Sequence, residues 1–165
     1  MERLWAPWRM HYIGSIPDAD GCFLCHIQKS DKDAENLVIA RRPHCFVVLN
    51  RYPYNNGHTL VCPNDHAASL DQISEPALAD LMRTTGRLMN IQKKLMRPDG
   101  FNVGLNFGRV AGAGLPDHLH MHIVPRWSGD TNFMPVLADV KVIPQALEEL
   151  HEKLVAAWKE QNYVE

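Results

Sequence analysis

Three histidines alternate with apolar residues in one short stretch, residues 118–124, which reads HLHMHIV. Because successive side chains of a strand point to opposite faces, this pattern predicts a strand with the imidazoles of His118, His120 and His122 on one face. The other face is apolar and suits a core. Imidazoles are costly to bury without partners, and a glycine-rich run at 108–114 comes just before them. We therefore expect a strand that leaves a tight loop, with its histidines facing a cleft.

The bulk composition restricts the class of protein. The length of 165 residues predicts a single domain over 1–165. Within it we expect an irregular arm at 1–20 and a last helix at 144–161. A formal charge of −2 gives no electrostatic case for nucleic acid. No apolar run is long enough for a membrane span, and the first residues lack the apolar segment of a signal peptide. We expect a cytoplasmic protein with no nucleic-acid or membrane partner.

The order of predicted elements gives the fold class. The clearest helix is predicted at about 75–96, with Ser74 as its N-cap and the sequence Pro98-Asp99-Gly100 as its stop. Strands are predicted at 37–40, 44–50, 58–62 and 101–107, besides the histidine strand. Hairpins combined with two helices predict an α+β protein with an antiparallel sheet of about five strands.

Histidine is the side chain that is most easily poised as a base or nucleophile near neutral pH. Neighbouring imidazoles disfavour one another's charged forms, and a neutral imidazole can attack phosphorus. A glycine loop can direct backbone N–H groups at phosphate oxygens, although such a loop is more often an ordinary hairpin connection. Three histidines on one face can equally hold a catalytic zinc with an open fourth position. From the spacing alone, a nucleophilic histidine and a three-histidine catalytic metal site are equally good interpretations of this stretch.

The cysteines raise a separate metal question. Cys22-x-x-Cys25 has the spacing of half a zinc site, whereas two small buried apolar residues are the plain alternative. Cys45 and Cys62, or several histidines, can complete the ligand set. The residues alone therefore permit a four-cysteine site, and four cysteines in a chain of this length do not indicate a disulfide scaffold.

The motif His-x-His-x-His followed by two apolar residues resembles the signature of the histidine triad superfamily. The match extends upstream through Val-Leu-Asn at 48–50, Gly-His-Thr-Leu-Val at 57–61, Asn106-x-Gly108 and Gly112. It covers about 22–127. The opening Leu-Trp-Ala-Pro-Trp-Arg at 4–9 and Pro-Arg-Trp at 125–127 are similar to a bacterial branch that includes diadenosine tetraphosphate phosphorylases.

The resemblance implies a nucleotide hydrolase or transferase that cleaves nucleoside polyphosphates at the α-phosphorus. Within a catalytic set of His118, His120 and His122, the middle histidine would be the nucleophile and form a nucleotidyl-histidine. His122 would contact phosphate oxygens and help to position the leaving group. The implied nucleotide-binding residues are Phe23, Leu24, Ile27, Val48 and Leu60 for the base, Asn50 for the ribose hydroxyls, Asn106, Gly112, Ala113 and Gly114 for phosphate, and Trp127 as an extra wall.

The resemblance also implies a structural zinc, with Cys22, Cys25, His66 and His118 as ligands, and no organic cofactor. The implied substrate is an adenine nucleotide or a dinucleoside polyphosphate. The implied assembly is a homodimer formed through the long helix and an edge strand.

Several functional readings stay open at this point. The bacterial branch has a serine near Gly114, and its absence here leaves water and phosphate open as the second substrate. An adenosine phosphoramidate hydrolase is an alternative with the same chemistry. A zinc-stapled nucleotide-binding module with little catalysis is an alternative from another class.

Overall fold

The computed structural model describes residues 21–130 and 143–161. Its helices are α1 (Phe23–Lys29), α2 (Glu75–Met96) and α3 (Leu147–Glu160). Its strands are β1 (Val38–Arg41), β2 (Cys45–Leu49), β3 (Thr59–Pro63), β4 (Gly100–Leu105) and β5 (Met121–Arg126). Short 3-10 turns lie at Leu70–Gln72 and Arg109–Ala111. The predicted arm at 1–20 lies outside the described residues.

The five strands form one sheet in the order β1-β2-β3-β5-β4, and every neighbouring pair is antiparallel. Strand β5 therefore lies between β3 and β4, which places the histidine segment inside the sheet and β4 at its edge. The predicted class, α+β with about five antiparallel strands, is confirmed.

The long helix has the predicted bounds. Its N-cap, Ser74, accepts a hydrogen bond from the Ala77 N–H at 3.4 Å, and its C-cap, Arg97, adopts a left-handed conformation with φ 50°. Between these caps, Leu81, Leu88 and Ile91 are buried against the sheet. This apolar stripe holds α2 on the sheet, because apolar burial is the main stabilising contribution to such packing.

The two faces of the sheet are covered by apolar clusters of different size. The face toward α2 and α3 holds the main core, to which alternate residues of the central strands contribute, among them Val47, Val61 and Ile123. The opposite face holds a smaller cluster under α1, composed of Leu24, Val38, Phe46, Val48, Leu60 and Cys62. Because His122 is opposite Leu60 in the register and Ile123 belongs to the main core, His122 projects on the α1 side of the sheet.

Strand ends differ from the sequence prediction by one or two residues, and three larger differences concern β5, the last helix and α1. Strand β5 begins at Met121 rather than at His118, because the Leu119 N–H donates to the Ala67 carbonyl at 2.7 Å instead of to a strand partner. The last helix begins at Leu147, not near 144. Helix α1 has seven residues, which is too short for a hydrophobic period to reveal it in the sequence.

No helix within the described ranges combines the length and the apolarity that a bilayer crossing requires.

Candidate active site and metal centre

The structure brings two triad histidines together and turns the third away. The rings of His120 and His122 meet edge to face with their centroids 4.8 Å apart. His118 instead packs against His66, with a ring separation of 5.2 Å. The prediction that all three imidazoles share one strand face is therefore wrong for His118. Strand β5 begins only at Met121, so the backbone at His118 does not follow the strand alternation.

The backbone determines which nitrogen of His120 carries the proton. Its Nδ1 lies 2.8 Å from the carbonyl oxygen of His118, and because a carbonyl can only accept, Nδ1 donates. The neutral ring therefore presents a lone pair at Nε2. The side chain is 8% exposed, and burial lowers its pKa, which its bond to the His118 carbonyl opposes in part. His120 is thus a neutral imidazole, the form that can act as a nucleophile.

His58 sets the tautomer of His122 in the same way. The Tyr54 N–H lies 3.0 Å from Nδ1 of His58, and because an N–H can only donate, that nitrogen accepts. The proton of His58 is then on Nε2, which donates to Nδ1 of His122 at 2.9 Å. Neutral His122 consequently carries its proton on Nε2. Its outer nitrogen is a donor, as contact with a phosphate oxygen requires.

Side chains around this pair complete the arrangement. The Tyr54 ring lies nearly parallel to the ring of His122, at 13° and a centroid separation of 5.8 Å. The side-chain nitrogen Nδ2 of Asn106 is 3.4 Å from Nε2 of His122. Because both nitrogens carry protons in this tautomer, the contact is not a hydrogen bond, and the Asn106 amide accepts from the Nε2–H only when it is turned to present Oδ1. The sequence reasoning missed Tyr54, which lies in a turn-rich segment where no periodic signal distinguishes it.

Gln92 of α2 stabilises the turn between β2 and β3 by a hydrogen bond to its backbone. The Gln92 side chain is fully buried, and its Nε2 donates to the Gly57 carbonyl at 2.6 Å. Gly57 has φ +74°, which favours glycine, and a Cβ there would lie 2.8 Å from the Met96 methyl carbon. Asn50, the predicted ribose ligand, lies on the same turn with its Nδ2 3.2 Å from Nδ1 of His58.

The residues predicted to form the base slot largely come together. Leu24, Val48 and Leu60 share the cluster under α1, and Ile27 packs against it. Phe23, on the same helix, is 39% exposed. These residues lie on the face of the sheet that carries His122, so an apolar surface and the imidazoles adjoin. Their contact with a base stays a prediction.

Two other predicted contacts look different in the structure. The N–H groups of Gly112 and Ala113 donate within the loop, to Arg109 O at 2.9 Å and Gly108 O at 3.3 Å. Phosphate binding by the 112–114 backbone therefore stays a prediction. The indole of Trp127 donates to the Met96 carbonyl at the end of α2, and the ring lines a cavity with Leu95 and Lys153, away from the base-slot cluster.

Four side chains form a cluster suited to a metal ion. The ligand atoms of Cys22, Cys25, His66 and His118 all lie within 4.8 Å of one another. Nδ1 of His118 is 3.2 Å from Sγ of Cys22 and 3.4 Å from Sγ of Cys25, and His66 Nδ1 is 3.2 Å from Sγ of Cys25. Bond lengths in tetrahedral zinc sites imply ligand separations of about 3.3–3.8 Å, so the set fits a zinc ion.

A second contact supports that fit. Nε2 of His118 is 3.0 Å from the Pro63 carbonyl, so that nitrogen donates and Nδ1 turns its lone pair toward the cysteines. Burial raises the pKa of the Cys22 thiol, and a bound dication would stabilise the thiolate. Cys45 and Cys62 take no part in the cluster; they are buried in the sheet, where burial raises the pKa of Cys45 to about 11.

Comparison with known proteins adds independent findings. The HIT domain family matches residues 31–129. The AP-4-A phosphorylase of Mycobacterium tuberculosis is 41% identical over 170 aligned positions, covering 98% of this chain and 86% of that protein. The adenosine 5'-monophosphoramidase of Schizosaccharomyces pombe is 28% identical, covering 81% of this chain and 95% of that protein.

A solved structure agrees with the fold. A Zn-bound histidine triad family protein from Mycobacterium smegmatis superposes with a TM-score of 0.68 at 26% identity, covering 85% of this chain and 94% of that one.

Proposed function

The chain belongs to the HIT domain family, and from that premise we propose that it is a nucleotide hydrolase or transferase that cleaves nucleoside polyphosphates through a nucleotidyl adduct on His120. The substrate class follows the AP-4-A phosphorylase that is 41% identical over nearly the whole chain. The observation that carries the mechanism is the 2.8 Å bond from Nδ1 of His120 to the His118 carbonyl, which leaves Nε2 as the nucleophilic atom.

In the first step, the Nε2 lone pair forms a bond to the α-phosphorus while the bond from phosphorus to the bridging oxygen breaks. The electron pair of that bond goes to the departing polyphosphate, which leaves as an anion. The imidazole of His120 gains positive charge in this step. The His118 carbonyl, which accepts a hydrogen bond from Nδ1–H, stabilises that charge. The Nε2–H of His122 donates to phosphate oxygens that gain negative charge in this step.

In the second step, an oxygen of water or of phosphate bonds to phosphorus while the bond from phosphorus to Nε2 breaks. The electron pair returns to Nε2, which leaves His120 neutral, and the proton of an attacking water passes to solvent. With diadenosine tetraphosphate, departure of ATP leaves an adenylyl group on the enzyme. Water then yields AMP, whereas inorganic phosphate yields ADP. The two outcomes differ in product and are therefore separable in one assay.

The remaining predicted contacts complete the substrate site. The slot under α1 would hold the base, Asn50 the ribose hydroxyls, and Asn106 with the 112–114 backbone the phosphates. Trp127 as an extra wall stays a prediction, and its indole N–H donates to the Met96 carbonyl at the end of α2.

We propose that Cys22, Cys25, His66 and His118 hold a structural zinc. Such an ion supplies a cross-link between α1 and the segment before β5, and the nucleophile His120 is not among its ligands. The metallohydrolase alternative finds no support, because His120 and His122 lie outside the ligand cluster. Free thiols persist in reducing compartments, and on that ground we propose a cytoplasmic location.

We also propose a single domain and a homodimer. Strand β4 forms an edge of the sheet, and its Val103 is 41% exposed. On α2, Met82 is 59% exposed and Leu95 is 38% exposed. An edge strand and exposed apolar side chains on a helix each favour pairing with a second copy.

The test is substrate profiling with and without inorganic phosphate. We expect turnover of diadenosine tetraphosphate to ATP plus AMP or ADP, with the second product identifying the acceptor. Binding of AMP without turnover of any nucleoside polyphosphate would instead support the alternative of a binding module.

A second activity has a specific observation in its favour. The 28% identity to an adenosine 5'-monophosphoramidase extends over 81% of the chain. An amine needs a proton to leave, whereas a polyphosphate does not. Comparing kcat/KM for adenosine 5'-phosphoramidate and diadenosine tetraphosphate ranks the two activities.

A further inference from the structure

Arg41, the last residue of β1, holds the carboxyl end of α1. Its Nη2 donates to Ile27 O at 3.0 Å and to Ser30 O at 2.7 Å, and its Nη1 donates to Gln28 O at 2.8 Å. Asp33 fixes the guanidinium from the other side, at 3.0 Å from Nε and 2.6 Å from Nη2. One charged group thus serves three backbone carbonyls where α1 ends.

Helix α1 needs such support. It has seven residues, and helices of that length are marginal by themselves because nucleation is unfavourable. The last carbonyls of any helix lack partners within it. Charge-assisted donors from Arg41 satisfy several of them, and a cation at a helix carboxyl end is favourable.

The amino end of α1 carries the metal ligands. Cys22 is its N-cap, and Cys25 lies in its first turn. Phe23, Leu24 and Ile27 of the proposed base slot alternate with these cysteines along the same helix. Anything that fixes the cysteines therefore fixes the slot residues between and beside them.

We propose that Arg41 is a positioning residue which, together with the metal at the opposite end, forms two redundant clamps that keep α1 ready to bind the nucleotide. This inference rests on the proposed function for the identity of the ligand. Either clamp alone maintains the helix, so losing one costs little. Losing both obliges the nucleotide to order α1 when it binds, which weakens binding.

The experiment is a thermodynamic cycle on the full-length chain with AMP and Zn²⁺ as probes. The AMP Kd is measured by calorimetry on metal-free and zinc-loaded protein, for wild type and Arg41→Gln. We expect metal removal to raise the AMP Kd by about threefold in wild type and by about thirtyfold in Arg41→Gln. The two losses are therefore not additive.

Zinc affinity gives a readout that is independent of activity. By reciprocity, saturating AMP must tighten zinc binding to Arg41→Gln by the same factor by which zinc tightens AMP binding. Competition with a chromophoric chelator measures this factor. Arg41→Lys, which keeps the charge but loses the planar fork, should show an intermediate metal dependence.

The matched control is Arg87→Gln. Nη2 of Arg87 donates to the carbonyls of Trp158 and Gln161 at the end of α3, at 2.8 and 2.6 Å, so it caps a different helix by the same chemistry. Its metal dependence should equal that of wild type. Circular dichroism and thermal unfolding check that each variant is folded.

Equal weakening of AMP binding with and without zinc in Arg41→Gln overturns the proposal, because a merely structural or direct role of Arg41 gives that result. Greater metal dependence in Arg87→Gln overturns it as well. If wild type binds no AMP in either metal state, the proposed function fails first, and this inference fails with it.

Discussion

Replacing His58 with phenylalanine tests the tautomer argument for His122. His58 is fully buried, and Nε2 of its ring donates to Nδ1 of His122. Phenylalanine preserves the ring volume, so little cavity forms, but it removes both nitrogens. His122 then loses the donor that holds its proton on Nε2. In the other tautomer, Nε2 presents a lone pair that repels phosphate oxygens.

The expected magnitudes separate activity from stability. The Tyr54 N–H and Nδ1 of His122 each lose a hydrogen-bond partner in a partly buried setting, at about 1–3 kcal/mol apiece, so the free energy of unfolding should fall by about 2–6 kcal/mol. Domains of this kind have about 5–15 kcal/mol of stability, so the variant stays folded when the wild type lies above the low end of that range, and chemical denaturation measures the folded fraction. Loss of a correctly placed donor should lower kcat by about 10²–10³-fold.

The assay is steady-state cleavage of diadenosine tetraphosphate alongside chemical denaturation. The control is His151→Phe, because His151 is 7% exposed and Nε2 of its ring bonds to the Val38 carbonyl at 2.8 Å, away from the triad. It should lose stability but retain kcat. If His58→Phe keeps kcat within about threefold of wild type, or if His151→Phe loses as much, the tautomer argument is wrong.

Three further predictions address the turn, the metal and the dimer. Gly57→Ala should lower stability by about 1–3 kcal/mol and reduce activity, because φ is +74° and the added Cβ would lie 2.8 Å from the Met96 methyl carbon; denaturation and kinetics at 25 °C check this. Cys22→Ser should abolish tight zinc binding and lower the Tm. Chelation of the wild-type protein should lower its Tm before it lowers kcat. An immediate loss of activity in protein that is still folded would instead indicate a catalytic metal. Val103→Lys should shift sedimentation toward the monomer, and an unchanged sedimentation coefficient would place the interface elsewhere or exclude a dimer.

The sequence predicted those parts of the fold that have a long or distinctive period. Helix α2 has the predicted bounds because its apolar stripe is long and Ser74 caps it. The five-stranded antiparallel sheet followed from alternating segments separated by turn residues. Helix α1 escaped prediction because it is short and is maintained by contacts distant in sequence, with Arg41 among them.

Some parts of the candidate site could likewise be predicted from the sequence, and others could not. The Cys22, Cys25, His66 and His118 set was implied by resemblance, and the structure brings these four together. Periodicity alone placed His118 with the other two triad residues, but a local bend before β5 turns it toward Cys22, Cys25 and His66. The proton positions of His120 and His122 depend on backbone groups at His118 and Tyr54, which no side-chain pattern reveals.

The central claim is that Nε2 of His120 attacks the α-phosphorus, and isolation of the covalent adduct tests it most directly. The protein is mixed with diadenosine tetraphosphate, quenched under alkaline conditions that preserve phosphorus–nitrogen bonds, digested and mapped by mass spectrometry. The account predicts an adenylyl group on His120 that His120→Ala lacks, together with a loss of turnover by several orders of magnitude. An adduct on another residue, or full turnover by His120→Ala, would contradict it.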